Sequence, residues 1–285
     1  MRKESLHKAA ANLLRRAAMV AVLAGMAGTA GAARVSMDGW SVQLPPGCKA
    51  QWQRVAANPL YDAQARKDLA ADPMSVLKPD FNNMPEHLSL DLSSCFPQRG
   101  GFGTALRVIP LQPYLEIYDS RDGEHSPWPV QTLAKLRQWI GGDAGADADW
   151  PFLPFVDASA AHTAWRKQLD FDQGKGVRVV TQTVIENGFA IGEEFDYLFQ
   201  GLSDDGKTFV LLTVPVTING LASAADKTHL GFDIDRVYAD ADTYKRYSEA
   251  VAAWLRSGAA HPQPAPERLD ELLTSLRRVK NRAER

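Results

Sequence analysis

The chain has 285 residues, of which 45% are hydrophobic, and its 32 basic and 34 acidic residues give a net charge of −2. This hydrophobic content is enough for a real core and excludes disorder of the whole chain. The charge balance argues against nucleic acid or an anionic membrane as a partner, because both select strongly basic surfaces.

Residues 1–32 carry the pattern of a secretory signal peptide. Five basic residues precede an apolar run at 17–29, and Ala30-Gly31-Ala32 matches a small-residue cleavage site. The run is too short for a permanent membrane span of about 20 residues, and a buried N-terminal helix is the alternative. Removal of this segment takes away five basic residues and one acidic residue, which leaves 27 and 33 and a net charge of −6. We therefore expect a periplasmic or secreted protein with no stable membrane insertion.

Cys48 and Cys95 are the two cysteines of the chain. An oxidising compartment favours a disulfide between them, and closing its loop contributes roughly 4 kcal/mol at most in the chain-entropy model. A free buried pair is the alternative. No histidine lies at a ligand spacing from either cysteine, and the histidines are scattered along the chain. No metal site is therefore predicted. The sequence also contains no phosphate-binding or dinucleotide-binding glycine motif, and we expect no cofactor.

Periodicity predicts the elements of the first half of the chain. Strands are expected over 35–44, with a turn at Asp38-Gly39, near 51–55, and over 87–92 and 104–110. Short helices are expected over 61–69 and 111–118. A longer helix is expected over 130–140, where Val130, Leu133, Leu136 and Ile140 form an apolar stripe that ends at Gly141-Gly142.

The segment Trp150-Pro151-Phe152-Leu153-Pro154-Phe155 has no charge and two prolines, which fit neither a helix nor the interior of a sheet. It is either an extended plug over the core or an exposed apolar patch. The plug is the favoured role. If the segment is exposed, its aromatic residues Trp150, Phe152 and Phe155 are the best candidate contacts for a partner.

Four runs between 164 and 217 predict strands that follow one another through turns: 164–172, 177–186, 193–200 and 208–216. The last run is apolar on both faces, which is typical of the middle of a covered sheet. Gly174 and Gly176 are expected to supply positive φ at the first turn, and Gly206 ends a strong turn sequence before the last strand. The turns do not have the ligand pattern of a calcium loop.

Two helices are predicted near the C-terminus. Asp240 or Asp242 caps the first, which runs to about residue 256, and Pro266 begins the second, whose apolar stripe runs to Val279. The charged tail after about 279 is expected to fray. These elements predict an α+β fold with a mainly antiparallel sheet built from consecutive hairpins and covered by helices, in a single domain over 33–285.

Candidate catalytic residues are few. Glu194 and Asp196 are separated by one residue and are predicted to share one strand face, with Arg178 of a neighbouring strand facing them. A solvated salt-bridge surface explains these charges more simply than an acid pair does. His162 is the histidine that could complete a dispersed site with them.

Four segments carry a resemblance to a known group: MPEHLSLDL (84–92), LRVIPLQPYLEIYD (106–119), LDFDQGKGVRVVTQ (169–182) and FDYLFQGLSDDGKTFVLLTVPV (195–216). They resemble uncharacterised secreted or lipid-anchored bacterial proteins, over about half of the exported chain. The resemblance implies bacterial export and a shared fold, and it brings no catalytic or binding residues. The chain departs from the lipid-anchored members because it has no lipidation cysteine at the cleavage point.

Two functions remain open. The favoured hypothesis is a non-catalytic periplasmic binding or accessory module that recognises an envelope protein, a glycan or a small apolar ligand. The alternative is a hydrolase with a dispersed site built from His162, Glu194 and Asp196.

Overall fold

The computed structural model describes residues 32–61, 64, 67–68, 71, 80–99, 101–118, 128–145 and 149–279. Nearly all of the predicted signal peptide and the tail beyond 279 lie outside these residues. Of the helix predicted over 61–69, the helical residues Gln64, Lys67 and Asp68 are described, and most of the rest lies outside.

Thirteen strands are present in the described residues: β1 Arg34–Met37, β2 Trp40–Gln43, β3 Trp52–Val55, β4 His87–Asp91, β5 Ala105–Pro110, β6 Ser159–Phe171, β7 Gly174–Val184, β8 Phe195–Ser203, β9 Thr208–Asn219, β10 Thr228–His229, β11 Phe232–Asp233, β12 His261–Gln263 and β13 Arg277–Arg278. The helices are α1 Leu111–Glu116, α2 Trp128–Gly141, α3 Ile234–Ala239, α4 Ala241–Arg256 and α5 Pro266–Thr274, with a 3-10 helix at Gly192–Glu194.

The main sheet has eight strands. Seven follow the order β3-β4-β5-β9-β8-β7-β6, and β12 pairs with the end of β9. All these pairs are antiparallel, and β6 to β9 form consecutive hairpins. The predicted α+β fold, with an antiparallel sheet covered by helices that include two near the C-terminus, is confirmed.

Both faces of the main sheet are covered, because the central strands are apolar on both sides. On one face, Phe195, Tyr197 and Phe199 of β8 pack in a core with α4, α5 and the small sheet β1-β2-β13, and we call it the α4 face. On the other face, Leu198 of β8 packs in a second core with α1, α2 and Trp150, and we call it the α2 face. β9 contains the apolar run at 208–216 and is buried on both faces, as expected for a central strand of a covered sheet.

The turn between β6 and β7 differs from its prediction. Gln173 has the positive φ, of 61°, whereas Gly174 and Gly176 lie inside β7. A Cβ on Gly174 would overlap the ring of Phe171, and one on Gly176 would overlap the ring of Phe199. The two glycines therefore make room for aromatic rings and do not serve the turn.

Two helix predictions need correction at their apolar faces. Val130 is 64% exposed, because α2 buries the face that carries Leu133, Leu136, Trp139 and Ile140. α5 begins at Pro266 as predicted but ends at Thr274, since the chain then turns into β13 and leaves Val279 exposed. Asp240 caps α4, where its side chain accepts from the backbone N–H of Thr243 at 2.8 Å.

Cys48 and Cys95 form a disulfide, as predicted. Cys48 lies between β2 and β3, and Cys95 follows β4, so the bond links the connection before β3 to the segment after β4. Among the described residues, no helix is both long and apolar enough to cross a membrane.

Candidate functional site

His162 lies in a bulge of β6, where the pairing with β7 shifts register between Ala161 and Ala164. Its φ is 51°, and its ring packs edge-on against Tyr244 and Tyr247, at centroid distances of 6.2 and 5.8 Å. Both ring nitrogens are shielded from solvent and have no hydrogen-bond partner. Burial lowers the pKa of His162 to about 4, and the Gly188 backbone opposes this shift without reaching hydrogen-bond geometry. The imidazole is therefore neutral and enclosed at neutral pH.

Glu194 and Asp196 do not share a strand face, contrary to the prediction. Glu194 ends the 3-10 helix before β8, and its Oε2 accepts from Nε2 of Gln182 at 2.9 Å. Gln182 lies opposite Phe195 in the pairing of β7 with β8, so this contact belongs to the α4 side of the sheet. Asp196 follows Phe195 in β8 and alternates onto the α2 face.

Asp196 is paired with Arg99. Its Oδ1 accepts from the guanidinium at 2.8 Å, and its side chain is 13% exposed. Burial raises the pKa of Asp196 to about 6, although the charge of Arg99 opposes this shift. The three catalytic candidates thus occupy separate surroundings, and no hydrogen bond, ion pair or ring contact among the described residues joins one to another. Their catalytic role stays a prediction.

Arg178 does not face the two acids. It lies on the α4 face, 3% exposed, and its Nε donates to Oδ1 of Asp270 on α5 at 3.1 Å. Asp270 also accepts from Lys167 and from the hydroxyl of Tyr197, each at 2.9 Å. Arg178 further donates to the backbone carbonyl of Trp165. This network joins α5 to the sheet and explains why Arg178 is unavailable to Glu194 and Asp196.

The segment at 150–155 is a plug over the α2 face. Trp150 is buried against Trp139, with centroids 5.3 Å apart, while Phe152 and Phe155 are half-buried. Gln200 of β8 holds the segment, since its side chain accepts from the N–H of Leu153 at 2.9 Å and donates to the carbonyl of Pro151 at 2.6 Å. The favoured plug role agrees with this packing.

An open cleft of about 660 Å³ lies at the end of the main sheet, on the side of α3. The end of β7 and the chain from Ile185 to Ile191 form one wall. The turn that begins at Ser223 and the helix α3 form the other wall. The N–H of Gly192 donates to the carbonyl of Ala222 at 2.9 Å, which holds the walls together.

A cluster of aromatic rings supports the cleft from behind. Phe189 lines the cleft and packs on Tyr247 of α4 at a centroid distance of 5.0 Å. The hydroxyl of Tyr247 accepts from the N–H of Ala190 at 2.8 Å and forms a second hydrogen bond with Nδ1 of His229, also 2.8 Å away. Burial lowers the pKa of His229. This cluster fixes the loop that carries Phe189.

The cleft combines acidic groups with apolar ones. Its charged residues are four acids and one lysine: Glu186, Glu194, Asp226, Asp235 and Lys227. The backbone N–H of Ser223 donates to Asp226 at 2.7 Å and holds the pKa of that carboxyl below its usual value. Two apolar side chains at the cleft are exposed to solvent, Ile185 at 86% and Tyr238 at 54%. The surface is thus negative and partly apolar.

Polar atoms that are buried without a hydrogen-bond partner are concentrated at this end of the described structure. They belong to His162, Gln182, Thr183, His229 and Ser248, and the remaining two are the indole nitrogens of Trp52 and Trp150. Gln182 and Thr183 line the cleft. Nearly all buried polar groups in proteins have partners, so such a concentration is unusual and makes this end of the sheet a candidate site.

No local sequence motif predicts this cleft. Gln182 and Thr183 stand at the end of an ordinary β-branched run, and the residues around 223–238 form a polar connection without a motif. The unusual length of that connection was the one available signal, since long connections often carry function. Among the described residues, no group of three or more His, Cys, Asp and Glu side chains is placed to hold a metal ion.

Comparison with protein-family models, with curated proteins and with solved structures finds no match to this chain. The resemblance to exported bacterial proteins therefore stays a prediction. The fold and the cleft define an α+β protein with one disulfide and an acidic, partly apolar cleft at the end of its sheet.

Proposed function

We propose that this protein is an exported bacterial binding module that holds a small ligand in the cleft at the end of its main sheet, without catalysis. The signal peptide at 1–32 directs export, and the exported domain begins near Ala33. The Cys48–Cys95 disulfide supports this location, because such bonds persist in oxidising compartments.

One observation carries the proposal: the cleft has the volume of a small-molecule site and contains a buried amide oxygen with no partner. Its volume of about 660 Å³ lies within the roughly 300–1,000 Å³ usual for ligand pockets. Gln182, which is 2% exposed, lines it, and Oε1 of this residue accepts no hydrogen bond. An unpaired buried acceptor of this kind destabilises a fold by about 1–3 kcal/mol unless a donor meets it.

The hydrolase alternative rests on the shifted pKa values of His162 and Asp196, since perturbed groups cluster at active sites. General acid–base catalysis needs its groups within hydrogen-bond reach of one substrate. The nitrogens of His162 are enclosed, and Asp196 is bound by Arg99 on the α2 face. The cleft meets the requirements of binding more directly than these residues meet those of catalysis.

Ligand capture tests this proposal. The full chain is expressed with its signal peptide in a bacterial host, purified from the periplasm, and extracted for mass spectrometry of bound small molecules. Sequencing of the purified N-terminus is expected to give a start near Ala33. Retention of residues 1–32, or absence from the periplasm, would overturn the export part of the proposal.

Two alanine-to-tryptophan variants locate the binding. Ala224 is exposed and lines the cleft, whereas Ala253 is exposed on α4 outside it. A molecule recovered with the wild type and Ala253→Trp but lost in Ala224→Trp supports the proposal. Equal recovery from all three places the ligand elsewhere and overturns the cleft assignment. Recovery of nothing, together with ester or glycoside turnover that is lost in His162→Ala, replaces binding with hydrolysis.

A further inference from the structure

The cleft presents negative charge and apolar surface to a ligand, and a buried acceptor without a partner, Oε1 of Gln182, belongs to a residue of its wall. Four carboxylates and one lysine line it, and Asp226 is held in its ionised form by the backbone of Ser223. A charged ligand of opposite sign is therefore favoured by the field of the cleft.

Gln182 adds a specific hydrogen-bond acceptor to the negative field of the cleft. Its Nε2 donates to Oε2 of Glu194 at 2.9 Å and lies 3.3 Å from the carbonyl of Phe189. Both amide protons are thus directed to acceptors, which fixes the orientation of the amide and leaves Oε1 as the free acceptor. Glu194 is exposed, and no hydrogen bond to its other oxygen, Oε1, is present among the described residues. Two neighbouring acceptors, one of them charged, match a group with several N–H donors.

The apolar side chains of the cleft indicate the chemistry of the remainder of the ligand. Phe189 is almost fully buried and contributes to one wall, and Ile185 and Tyr238 expose large apolar side chains to solvent. A purely inorganic cation would leave these groups exposed, whereas an aryl or alkyl chain would cover them.

We propose that the cleft binds a small organic cation, an ammonium or guanidinium group joined to an apolar body, with Gln182 and Glu194 holding the cationic head. This inference rests on the proposed binding function and names its ligand class. It also changes the expectation of a small apolar ligand into one of a charged, amphipathic ligand.

Three probes with one apolar body test the head group: 4-phenylbutylamine, 4-phenylbutanol and 4-phenylbutyrate, each titrated into the purified exported protein by calorimetry. The amine is expected to bind at least about tenfold more tightly than the alcohol, because charge-assisted hydrogen bonds are the stronger ones, and the acid is expected not to bind. Added salt is expected to weaken binding of the amine, since the cleft is open to solvent and its charges are screened.

Matched variants locate the head group. Glu194→Gln and Gln182→Leu are each expected to lower affinity for the amine by about tenfold or more, while affinity for the alcohol changes little. Glu193→Gln is the control, because it removes the same charge at the adjacent residue, which is exposed and does not line the cleft. Equal losses in Glu193→Gln and Glu194→Gln would reduce the effect to overall charge and overturn the assigned recognition.

The outcomes separate this inference from the proposed function. If the alcohol or the acid binds as tightly as the amine, and Ala224→Trp abolishes that binding, the cleft binds ligands but the cationic class is wrong. If none of the probes binds and no molecule is recovered from the periplasmic protein, both proposals fail.

Discussion

The edge strand β6 contains two bulges. The polar groups beside one bulge have hydrogen-bond partners, whereas those beside the other do not. Each bulge has a residue with positive φ, His162 at 51° and Trp165 at 49°. At Trp165 the bulged strand presents its carbonyl to Arg178, which is paired with Asp270. At His162 the bulge places an imidazole among aromatic rings, and neither nitrogen has a partner.

The difference shows which polar region belongs to the fold. Arg178 and Asp270 are buried charges with partners on three elements, so their hydrogen bonds hold α5 on the sheet. The region around His162 includes the unpartnered atoms of Gln182 and His229 and adjoins an open cleft. Unpaired polar atoms beside a cleft lower the stability of the fold, and this is the pattern that the proposed binding site predicts.

The largest expected effect comes from breaking the satisfied region. Asp270→Ala leaves the positive charge of Arg178 buried without its partner and is expected to lower the free energy of unfolding by about 3–5 kcal/mol in urea denaturation. The double variant Arg178→Met with Asp270→Leu is expected to recover much of this loss, because no buried charge remains. Asp235→Ala, an exposed acid at the cleft, is the control and is expected to stay within about 0.5 kcal/mol. A loss below about 1 kcal/mol for Asp270→Ala would contradict a structural role for the network.

The sequence predicts the satisfied region only in part. The alternation of apolar residues from 164 to 217 predicts four strands and their hairpins, because a period of two is a local property. The bulges interrupt that alternation, so the start of β6 at Ser159 was not predicted. Strand alternation predicts that Arg178 faces Glu194 and Asp196, whereas its partner Asp270 lies 92 residues further along the chain. A pairing at such a distance depends on how α5 packs, which no local pattern states.

The candidate site was less predictable than the fold. Residue type alone makes His162 a catalytic candidate, but its enclosure follows from rings contributed by α4. The spacing predicts that Glu194 forms an acid pair with Asp196, whereas its hydrogen-bond partner is the amide of Gln182 on the neighbouring strand. Charged residues are visible in the sequence, whereas an uncharged acceptor becomes unpartnered only in the folded state and leaves no sequence pattern.

A smaller effect, of opposite sign at two residues, is expected in the dependence of stability on pH. Burial lowers the pKa of His162 from 6.5 to about 4, so in this range the unfolded chain binds a proton that the folded protein does not, and stability rises with pH. Burial raises the pKa of Asp196 from 3.8 to about 6, so here the folded protein binds the extra proton, and stability falls as pH rises. The two contributions nearly cancel in the wild type between about pH 4 and 6.

A variant that removes one of these two residues therefore shows the contribution of the other to the pH dependence of stability. Between pH 4 and 6, stability relative to wild type is expected to fall with pH in His162→Gln and to rise in Asp196→Asn, by at most about 3 kcal/mol in each case. Urea denaturation at intervals of half a pH unit measures both profiles. His261→Gln, at an exposed histidine of β12, is the control. A profile of His162→Gln parallel to that of the wild type would show that the imidazole is not enclosed in the folded protein.

The smallest expected effect on stability lies at the rim of the cleft, and it distinguishes the two regions most directly. Ile185 is 86% exposed, so Ile185→Ser removes little buried area and is expected to change the free energy of unfolding by no more than about 0.5 kcal/mol. The same change is expected to lower the affinity for 4-phenylbutylamine by roughly threefold to tenfold, because the apolar body of the ligand loses a surface that it covers. Val130→Ser, at a residue of α2 that is 64% exposed and lies outside the cleft, is expected to leave both quantities unchanged. Unchanged affinity in Ile185→Ser would mean that the ligand does not reach this side chain, and the apolar half of the recognition would then rest on Phe189 and Tyr238.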